Sequence, residues 1–421
     1  MSPLRIAVLG AGPIGIESAL YGAALGHDVV VFEQGGVGSS VAMWGHVALF
    51  SPWRMNTTPL GKRILKEQGP AGAVGGHSPD PERCPTGGEF VSEYLLPLSQ
   101  SSLLSGRLRL GCRVVAVGRP GLLKGDLIGK DRRAESRFRL LIEDGSGEHV
   151  ELADAVIDCT GTYLCPNAIG DGGILAPGER WLTARMIRHL PDVLGRDRGR
   201  FVRRRTLLVG DGLSAATAAV ALGRLTAEEP GTHVTWAVRR PGGPPYQPIP
   251  GDPLPERAQL LEAANRVAQG GGSPGGIQFC AGTLVDGLAA EGHQLRVRLR
   301  DSQPAAAAVT KEELFDEVVG LTGYGPDRSI YEQLQIHECY ASFGPMKLAA
   351  TLLGTSGGGD CLAQPTPGPA TLKNPEPHFL ILGAKSYGRN SAFLLQIGHA
   401  QVRAAFALLH DDEALDLYAQ G

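Results

Sequence analysis

Two glycine-rich turns, 200 positions apart, constrain this chain more than any other feature of its sequence. The first lies in IAVLGAGPIG and carries Gly10, Gly12 and Gly15; the second lies in TLLVGDGLSA and carries Gly210, Gly212 and Ala215 at the same spacing. Each turn follows a short apolar run and precedes a helical pattern, which is how a nucleotide-binding βαβ unit begins. Two such units in one chain predict a protein that binds two dinucleotides.

The first turn has the chemistry that a pyrophosphate requires. Gly10 allows a tight strand-to-helix turn, Gly12 leaves space for the phosphates to approach the backbone, and Gly15 lets the helix pack on the strand. The helix N-terminus adds unpaired N–H groups and the positive end of its dipole. Glu33 ends the next apolar strand, DVVVFE, where a carboxylate can accept hydrogen bonds from the adenosine ribose hydroxyls.

The second turn differs at the end of the strand that follows it. HVTWAVRR ends in Arg239 and Arg240, where the first unit has an acid. A guanidinium binds a 2′-phosphate through paired hydrogen bonds, whereas a carboxylate repels it. The sequence therefore predicts that the second site prefers NADPH to NADH. The alternative is that both arginines only keep the strand end solvated.

Composition excludes several other classes. A net charge of −3 over 421 residues gives no general attraction to nucleic acid or anionic lipid, and no apolar run approaches the roughly 20 residues of a membrane span. The chain enters a strand at Leu4 without a signal-peptide pattern, so we expect a cytoplasmic protein. Seven widely spaced cysteines without a C-x-x-C pair, and no His/Cys cluster, predict free thiols and no metal site.

The order of apolar and helical patterns predicts an α/β protein with two Rossmann-like dinucleotide-binding domains. The first domain is expected to be discontinuous, over residues 1–165 and 318–421, with the second inserted at residues 166–317. Strands end in Thr-Gly at Thr160-Gly161 and again in LTGY at Leu321–Tyr324. The C-terminal part is predicted to hold a strand, HFLILG, and a helix over residues 391–409.

This arrangement resembles the two-dinucleotide-binding-domain flavoproteins. The resemblance rests on both glycine turns and on the DCTG and LTGY strands, and LTGYGPD is most similar to flavin-containing and N-hydroxylating monooxygenases. It implies FAD in the first site, NADPH in the second, and an FAD-dependent NAD(P)H oxidoreductase. Members of this superfamily usually place an Asp directly after the C-terminal Gly, at the ribityl chain. Here Gly383 is followed by Ala384, so Asn390, Ser391 and the next helix N-terminus are the candidate substitutes.

The resemblance and the turns together define the expected site. The segment from Trp44 to Leu60 could line the flavin through aromatic rings and Arg54, although core aromatics and a surface arginine explain it equally well. No catalytic residue is assigned. The candidate FAD-binding residues are Gly10, Gly12, Pro13, Ile14, Gly15, Glu33, Gln34, Trp44, Thr160, Gly161, Gly383 and Asn390. The candidate NADPH-binding residues are Gly210, Gly212, Ser214, Ala215, Arg239 and Arg240.

Three functions remain open from the sequence. The favoured one is a monooxygenase-like enzyme in which NADPH reduces FAD, and electrons then pass to oxygen and an organic substrate. The second is an NADPH-dependent reductase of a low-molecular-weight disulfide or quinone, working without an internal dithiol. The third is a redox sensor that binds FAD without catalysis. We expect a small-molecule substrate, no nucleic-acid or membrane partner, and leave homodimer formation open.

Overall fold

The chain divides into two compact units. The computed structural model describes residues 2–68, 79–270, 276–302, 310–354 and 368–419, so Cys361 lies outside the described residues. One unit consists of Met1–Cys165 with Gly325–Gly421, and the other of Pro166–Tyr324. The first unit is discontinuous in sequence because the second is inserted into it.

Strands and helices alternate at the start of each unit, in β1-α1-β2 and β8-α9-β9, and elsewhere they occur in runs of one type. The strands are β1 Arg5–Leu9, β2 Asp28–Glu33, β3 Leu108–Leu110, β4 Arg113–Gly118, β5 Phe138–Asp144, β6 Gly147–Ala153, β7 Ala155–Asp158, β8 Arg205–Val209, β9 His233–Val238, β10 Ile277–Ala281, β11 Thr283–Glu291, β12 Gln294–Asp301, β13 Thr310–Phe315, β14 Glu317–Gly320 and β15 Phe379–Ile381. The α-helices are α1 Pro13–Ala24, α2 Ser39–Ala42, α3 Trp53–Asn56, α4 Pro59–Glu67, α5 Gly87–Phe90, α6 Leu96–Ser99, α7 Glu179–Leu182, α8 Arg198–Phe201, α9 Leu213–Glu228, α10 Pro255–Ala268, α11 Met346–Gly354 and α12 Leu395–His410.

The first unit is built on a five-stranded parallel sheet in the order β15-β7-β1-β2-β3. The central strand, β1, is apolar from Ile6 to Leu9 because both faces of the sheet are covered. Ile6 and Val8 pack into the cluster that contains residues of α1 and α12. Ala7 and Leu9 point the other way, into a cluster formed with the antiparallel sheet β4-β5-β6. The glycine turn after β1 therefore starts from a rigid, doubly buried strand.

The second unit repeats the parallel βαβ beginning. Its four-stranded parallel sheet has the order β10-β9-β8-β14, and a three-stranded antiparallel sheet, β11-β12-β13, belongs to the same unit. Leu207 and Val209 of β8 pack with Val297 and Leu299 of β12 in one apolar cluster. Helix α9 begins directly after the second glycine turn and packs against α10. The sequence therefore predicted the strand–turn–helix starts of both units correctly.

The return to the first unit occurs later than the sequence suggested. Strand β14 pairs in parallel with β8, in the register Val319 to Leu208, so it is the edge strand of the second sheet. The expected boundary between residues 317 and 318 would cut this strand after its first residue. The contacts place the change after Tyr324. The Thr-Gly that follows an apolar strand marks the strand's end, but the sequence does not say which sheet that strand joins.

The described ranges contain no helix that is both long and apolar enough to cross a membrane. Within the same ranges, no group of three or more His, Cys, Asp or Glu side chains is arranged to hold a metal ion.

Candidate functional site

The three glycines of the first turn have different surroundings. Gly10 has φ +95°, and a Cβ there would lie 2.9 Å from the Cys159 carbonyl oxygen. A Cβ on Gly15 would overlap the Gly10 carbonyl oxygen, so the helix can approach the strand only through glycine. A Cβ on Gly12 would meet no atom within 4 Å. Gly10 and Gly15 are therefore required by the fold itself, whereas Gly12 faces open space.

Helix α1 offers its N-terminus without a side-chain cap. Gly12 is the N-cap residue and Pro13 the first helical residue, and no side chain accepts from the first-turn N–H groups. The side chain of Ile14 is only 6% exposed and lies where Cβ atoms on Gly383 or Gly398 would touch it. Ile14 can therefore contribute to a bound anion only through its backbone amide, and Pro13, which has no N–H, cannot donate to it.

Glu33 holds the turn at the end of β2. One carboxylate oxygen accepts from the Ala11 amide at 2.7 Å, and the other accepts from the Gly35 amide at 2.7 Å. The side chain is 8% exposed. Each carboxylate oxygen can accept a further hydrogen bond, so the same group can support the turn and still bind a hydroxyl.

A cavity of about 270 Å³ lies beside this turn in the first unit. Five predicted residues meet at its wall: Gly10, Glu33, Gln34, Thr160 and Gly161. Two cysteines and one arginine that were not predicted also line it, namely Cys112, Cys165 and Arg113. Seven of the residues predicted for FAD are not among the described residues that line this cavity: Gly12, Pro13, Ile14, Gly15, Trp44, Gly383 and Asn390. The structure adds the strand β4 and the segment after Gly161 to the wall.

A buried ion pair borders the cavity at Thr160. Lys385 Nζ lies 2.6 Å from Asp158 Oδ2, and both side chains are completely buried. The ammonium also donates to Thr160 Oγ1 at 2.8 Å, and Asp158 Oδ1 accepts from the Thr160 amide and hydroxyl at 3.1 and 2.7 Å. The face of the Tyr331 ring lies 5.1 Å from Nζ. Because buried charges are stable only when paired and hydrogen-bonded, this network fixes Thr160 at the cavity wall.

The turn after β15 is held by α12. The Gly383 amide donates to Gln401 Oε1 at 2.8 Å, and Gln401 Nε2 donates to Ser386 Oγ at 2.9 Å. Asn390 Oδ1 accepts from the Ala392 amide at 2.9 Å. Helix α12 begins at Leu395, with no side-chain cap. Of the three substitutes considered for the missing Asp, this helix N-terminus has uncapped donors, whereas the Asn390 oxygen is already hydrogen-bonded within its own turn.

The segment from Trp44 to Leu60 contributes mainly to the core. The Trp44 ring lies where a Cβ on Gly87 would approach to 2.8 Å, and it packs on the edge of the main apolar cluster. Trp53 is 3% exposed in that cluster. Arg54 forms a surface ion pair with Glu82 at 2.7 Å. The local contacts of these residues therefore follow the core-and-surface interpretation.

The six described cysteines are free thiols. Burial is the largest factor acting on Cys159, where it raises the thiol pKa far above its ordinary value, and Ser18 Oγ lies 3.8 Å from the sulfur. Burial also raises the pKa of Cys165 and of Cys112. A raised thiol pKa disfavours the thiolate, which is the form that attacks disulfides.

The second glycine turn has the same construction as the first. Gly210 has φ +131°, and a Cβ there would overlap the Leu321 carbonyl oxygen, while a Cβ on Gly212 would meet no atom within 4 Å. Ala215 is fully buried, as close helix packing requires, and half-buried Ser214 stands in the uncapped first turn of α9. Trp236 Nε1 donates to the Gly210 carbonyl at 2.9 Å, which fixes the turn from the neighbouring strand.

The two arginines after β9 differ in their contacts. Arg240 Nε lies 2.8 Å from Asp211 Oδ2, within the turn itself. Arg239 is exposed and makes no ion pair or hydrogen bond with the residues that the structure describes. Tyr246 OH donates to the Gly212 carbonyl at 3.1 Å, so the loop after the arginines also contacts the turn.

Comparison with known proteins identifies the fold. No family model matches the chain, and no curated protein sequence matches it. Solved structures match it over nearly its whole length. Bacillithiol disulfide reductase from Bacillus cereus has 17% identity and a TM-score of 0.66, covering 98% of this chain and 100% of that chain. The desferrioxamine-pathway cadaverine monooxygenase from Erwinia amylovora, solved with FAD, has 14% identity and a TM-score of 0.64, with 99% and 96% covered.

A third structure, thioredoxin reductase from T. acidophilum, has 15% identity and a TM-score of 0.56, with 98% and 99% covered. The chain has the fold of the two-dinucleotide-binding-domain flavoproteins. The α/β class and the resemblance expected from the sequence are therefore confirmed at the level of the fold. The matching flavoproteins include both disulfide reductases and monooxygenases, so the fold is compatible with both reactions.

Proposed function

We propose that this protein is an FAD-dependent oxidoreductase that takes reducing equivalents from NADPH. The observation that carries the proposal is the duplicated turn: Gly12 and Gly212 each face open space beside an uncapped helix N-terminus. When bound, NADPH would supply the hydride and FAD the group that accepts it. The described residues bind and orient these groups, and no residue is assigned to the chemical step itself.

The first site fits FAD. The open space at Gly12 and the uncapped α1 turn suit a pyrophosphate, and Glu33, Gln34 and Thr160 bring polar groups to the cavity wall. Glu33 retains acceptor capacity for ribose hydroxyls beyond its two backbone hydrogen bonds. An adenosine ribose is present in FAD and absent from FMN, so this carboxylate favours FAD.

The second site fits NADPH through its arginines. A charge-assisted hydrogen bond that becomes buried or half-buried when the coenzyme binds is worth about 1.5–3 kcal/mol, which corresponds to roughly ten- to a hundredfold in affinity. Arg239 and Arg240 are exposed at the strand end, as a 2′-phosphate contact requires. Replacing both by Ala is expected to raise the KM for NADPH by this factor and to leave NADH nearly unchanged. An equal loss with both coenzymes would show that the arginines have only a structural role.

Of the two catalytic reactions, we favour the monooxygenase-like one because LTGYGPD resembles the corresponding strand of N-hydroxylating monooxygenases, whereas the cysteines argue only against an internal thiol relay. An internal relay to a disulfide needs a reactive thiolate, whereas the pKa values of Cys159 and Cys165 are raised by burial. Reduction of a small disulfide or quinone directly at the flavin is the second candidate. It is supported by the fold similarity to the bacillithiol disulfide reductase of Bacillus cereus.

The cofactor assignment is tested with a matched pair of variants. Gly12 and Gly212 have ordinary extended φ values of −75° and −85°, and a side chain on either meets open space. Gly12→Val should therefore fold and lose FAD, while Gly212→Val should keep FAD and lose reduction by NADPH. Flavin content is measured by absorbance, and fold by circular dichroism. Full FAD occupancy in folded Gly12→Val would contradict the first site.

The reaction class is tested by rapid mixing. Protein reduced by NADPH without oxygen is mixed either with oxygen or, anaerobically, with a low-molecular-weight disulfide or a quinone, and flavin reoxidation is followed by absorbance. Reoxidation by oxygen that depends on an organic substrate supports the monooxygenase. Fast anaerobic reoxidation by disulfide or quinone supports the reductase. A flavin that NADPH does not reduce supports the sensor and contradicts both enzymes.

A further inference from the structure

We propose that Asp211 lowers the affinity of the second glycine turn for NADPH by competing with the coenzyme's 2′-phosphate for Arg240. This inference rests on the proposed function of the same site. Asp211 lies between Gly210 and Gly212, and its carboxylate is 2.8 Å from Arg240 Nε. A 2′-phosphate that binds the Nε side of this guanidinium must therefore replace an internal anion.

The position of Asp211 is unfavourable for a phosphate. The corresponding residue of the first turn is Ala11, which carries no charge. Asp211 places a carboxylate beside Gly212, where the open space and the uncapped α9 turn suit a pyrophosphate. Like charges close together repel, so the carboxylate weakens phosphate binding unless Arg240 neutralises it.

The two turns use opposite charge arrangements. The strand registers pair Leu9 with Phe32 and Val209 with Ala237, so the position of Glu33 in the first unit corresponds to Val238 in the second. In the first unit the strand end supplies the acid, and the turn supplies the Ala11 amide. In the second unit the residues after the strand supply the cation and the turn supplies the acid.

The exchange of Asp211 for a phosphate is favourable because the internal pair is weak. The side chains of Arg240 and Asp211 are 61% and 36% exposed, and exposed pairs change equilibria only about 1.4- to fivefold. Arg239 makes no ion pair with the described residues, so it is available to the same phosphate. The pair therefore lowers NADPH affinity by a small factor without preventing binding.

The direction in which one substitution changes NADP⁺ affinity tests this proposal. Asp211→Asn frees Arg240 and removes the repulsion, so NADP⁺ should bind about two- to fivefold more tightly relative to NAD⁺. The dissociation constants of both oxidised coenzymes are measured by titration calorimetry on the FAD-loaded protein. The relative gain should disappear in Asp211→Asn/Arg240→Gln, because no guanidinium is then released. Asp286→Asn, which removes another exposed ion-paired carboxylate of this unit, is the charge-matched control and should not change the ratio.

Several outcomes would overturn the proposal. Weaker NADP⁺ binding by Asp211→Asn would show that the carboxylate positions Arg240 and does not compete for it. An equal gain in affinity for NADP⁺ and NAD⁺ would show that Asp211 only repels the pyrophosphate. An effect that persists with Arg240→Gln would exclude competition for that arginine. If Arg240→Gln alone leaves NADP⁺ binding unchanged, or the native protein binds neither coenzyme, the proposed coenzyme site itself fails together with this inference.

Discussion

Removal of the Lys385 charge should strongly destabilise the first unit. Lys385 and Asp158 are completely buried and 2.6 Å apart. Lys385→Met keeps most of the side-chain volume but leaves the Asp158 carboxylate buried with only the Thr160 donors. Breaking a buried pair in this way costs about 3–5 kcal/mol. For a unit of this size, each kcal/mol lowers the melting temperature by about 2–4 °C, so a decrease of roughly 6–20 °C is expected.

The assay is differential scanning calorimetry of the purified protein, with Arg266→Met as the matched control. Arg266 pairs with Glu262 on an exposed helix face, where the two side chains are 62% and 71% exposed. Exposed pairs of this kind contribute about 0.3–0.5 kcal/mol. The double variant Lys385→Met/Asp158→Asn removes both charges and should recover at least about 2 kcal/mol of the loss, because no uncompensated ion remains buried.

The reasoning would be refuted by a Lys385→Met variant that melts within about 2 °C of Arg266→Met, or by a double variant whose loss is the sum of the single losses. FAD affinity gives a second readout, because Thr160 lines the cavity and is held by Lys385. We expect weaker FAD binding in Lys385→Met and partial recovery in the double variant.

Three further predictions concern the turn, the histidines and the thiols. Gly15→Ala should cost at least about 1–3 kcal/mol, measured by denaturant unfolding, since its Cβ would overlap the Gly10 carbonyl oxygen; unchanged stability would contradict the packing described for this turn. Burial lowers the pKa of His399 to about 4, so the side chain is neutral in the folded state. Its contribution to the free energy of unfolding is complete above the pKa that His399 has in the unfolded state, and it is lost as the pH falls below that pKa. With a pKa of about 6.5 in the unfolded state, the loss of stability is roughly 1.4 kcal/mol at about pH 5.5. When unfolding is measured over a pH series, His399→Gln should lose less stability between neutral pH and pH 5.5 by about this amount. An equal pH dependence in the variant would argue against a neutral buried His399. If no cysteine carries electrons, Cys159→Ser and Cys165→Ser should keep NADPH-dependent flavin reduction and turnover, and a selective collapse of disulfide turnover in either variant would instead favour the reductase.

Much of the fold was readable from the sequence because its signals are local. The apolar runs that became β1, β2, β8 and β9 were recognisable, as were the glycine turns after β1 and β8. The positive φ values of Gly10 and Gly210 and the close helix approaches at Gly15 and Ala215 are short-range steric requirements, so the spacing of small residues reveals them. The same applies to Glu33, whose place at a strand end follows from the strand's length.

The candidate site could be predicted only in part, because some of its residues come together through the order of strands in the sheet. Asp158 and Lys385 are 227 residues apart, and they meet only because β15 pairs with β7. No local sequence pattern indicates that Lys385 pairs with Asp158.

The sequence by itself determined the two nucleotide turns, the α/β class and the resemblance to flavoproteins, since each depends on contacts between near neighbours in the chain. Only the tertiary structure shows that β14 is an edge strand of the second sheet, that Asp211 pairs with Arg240, and that Lys385 is buried against Asp158. These three features depend on the order of strands in the sheets and on which charged side chains are buried together. The spacing of apolar residues, every second position in a strand or every 3.6 positions in a helix, carries no information about either.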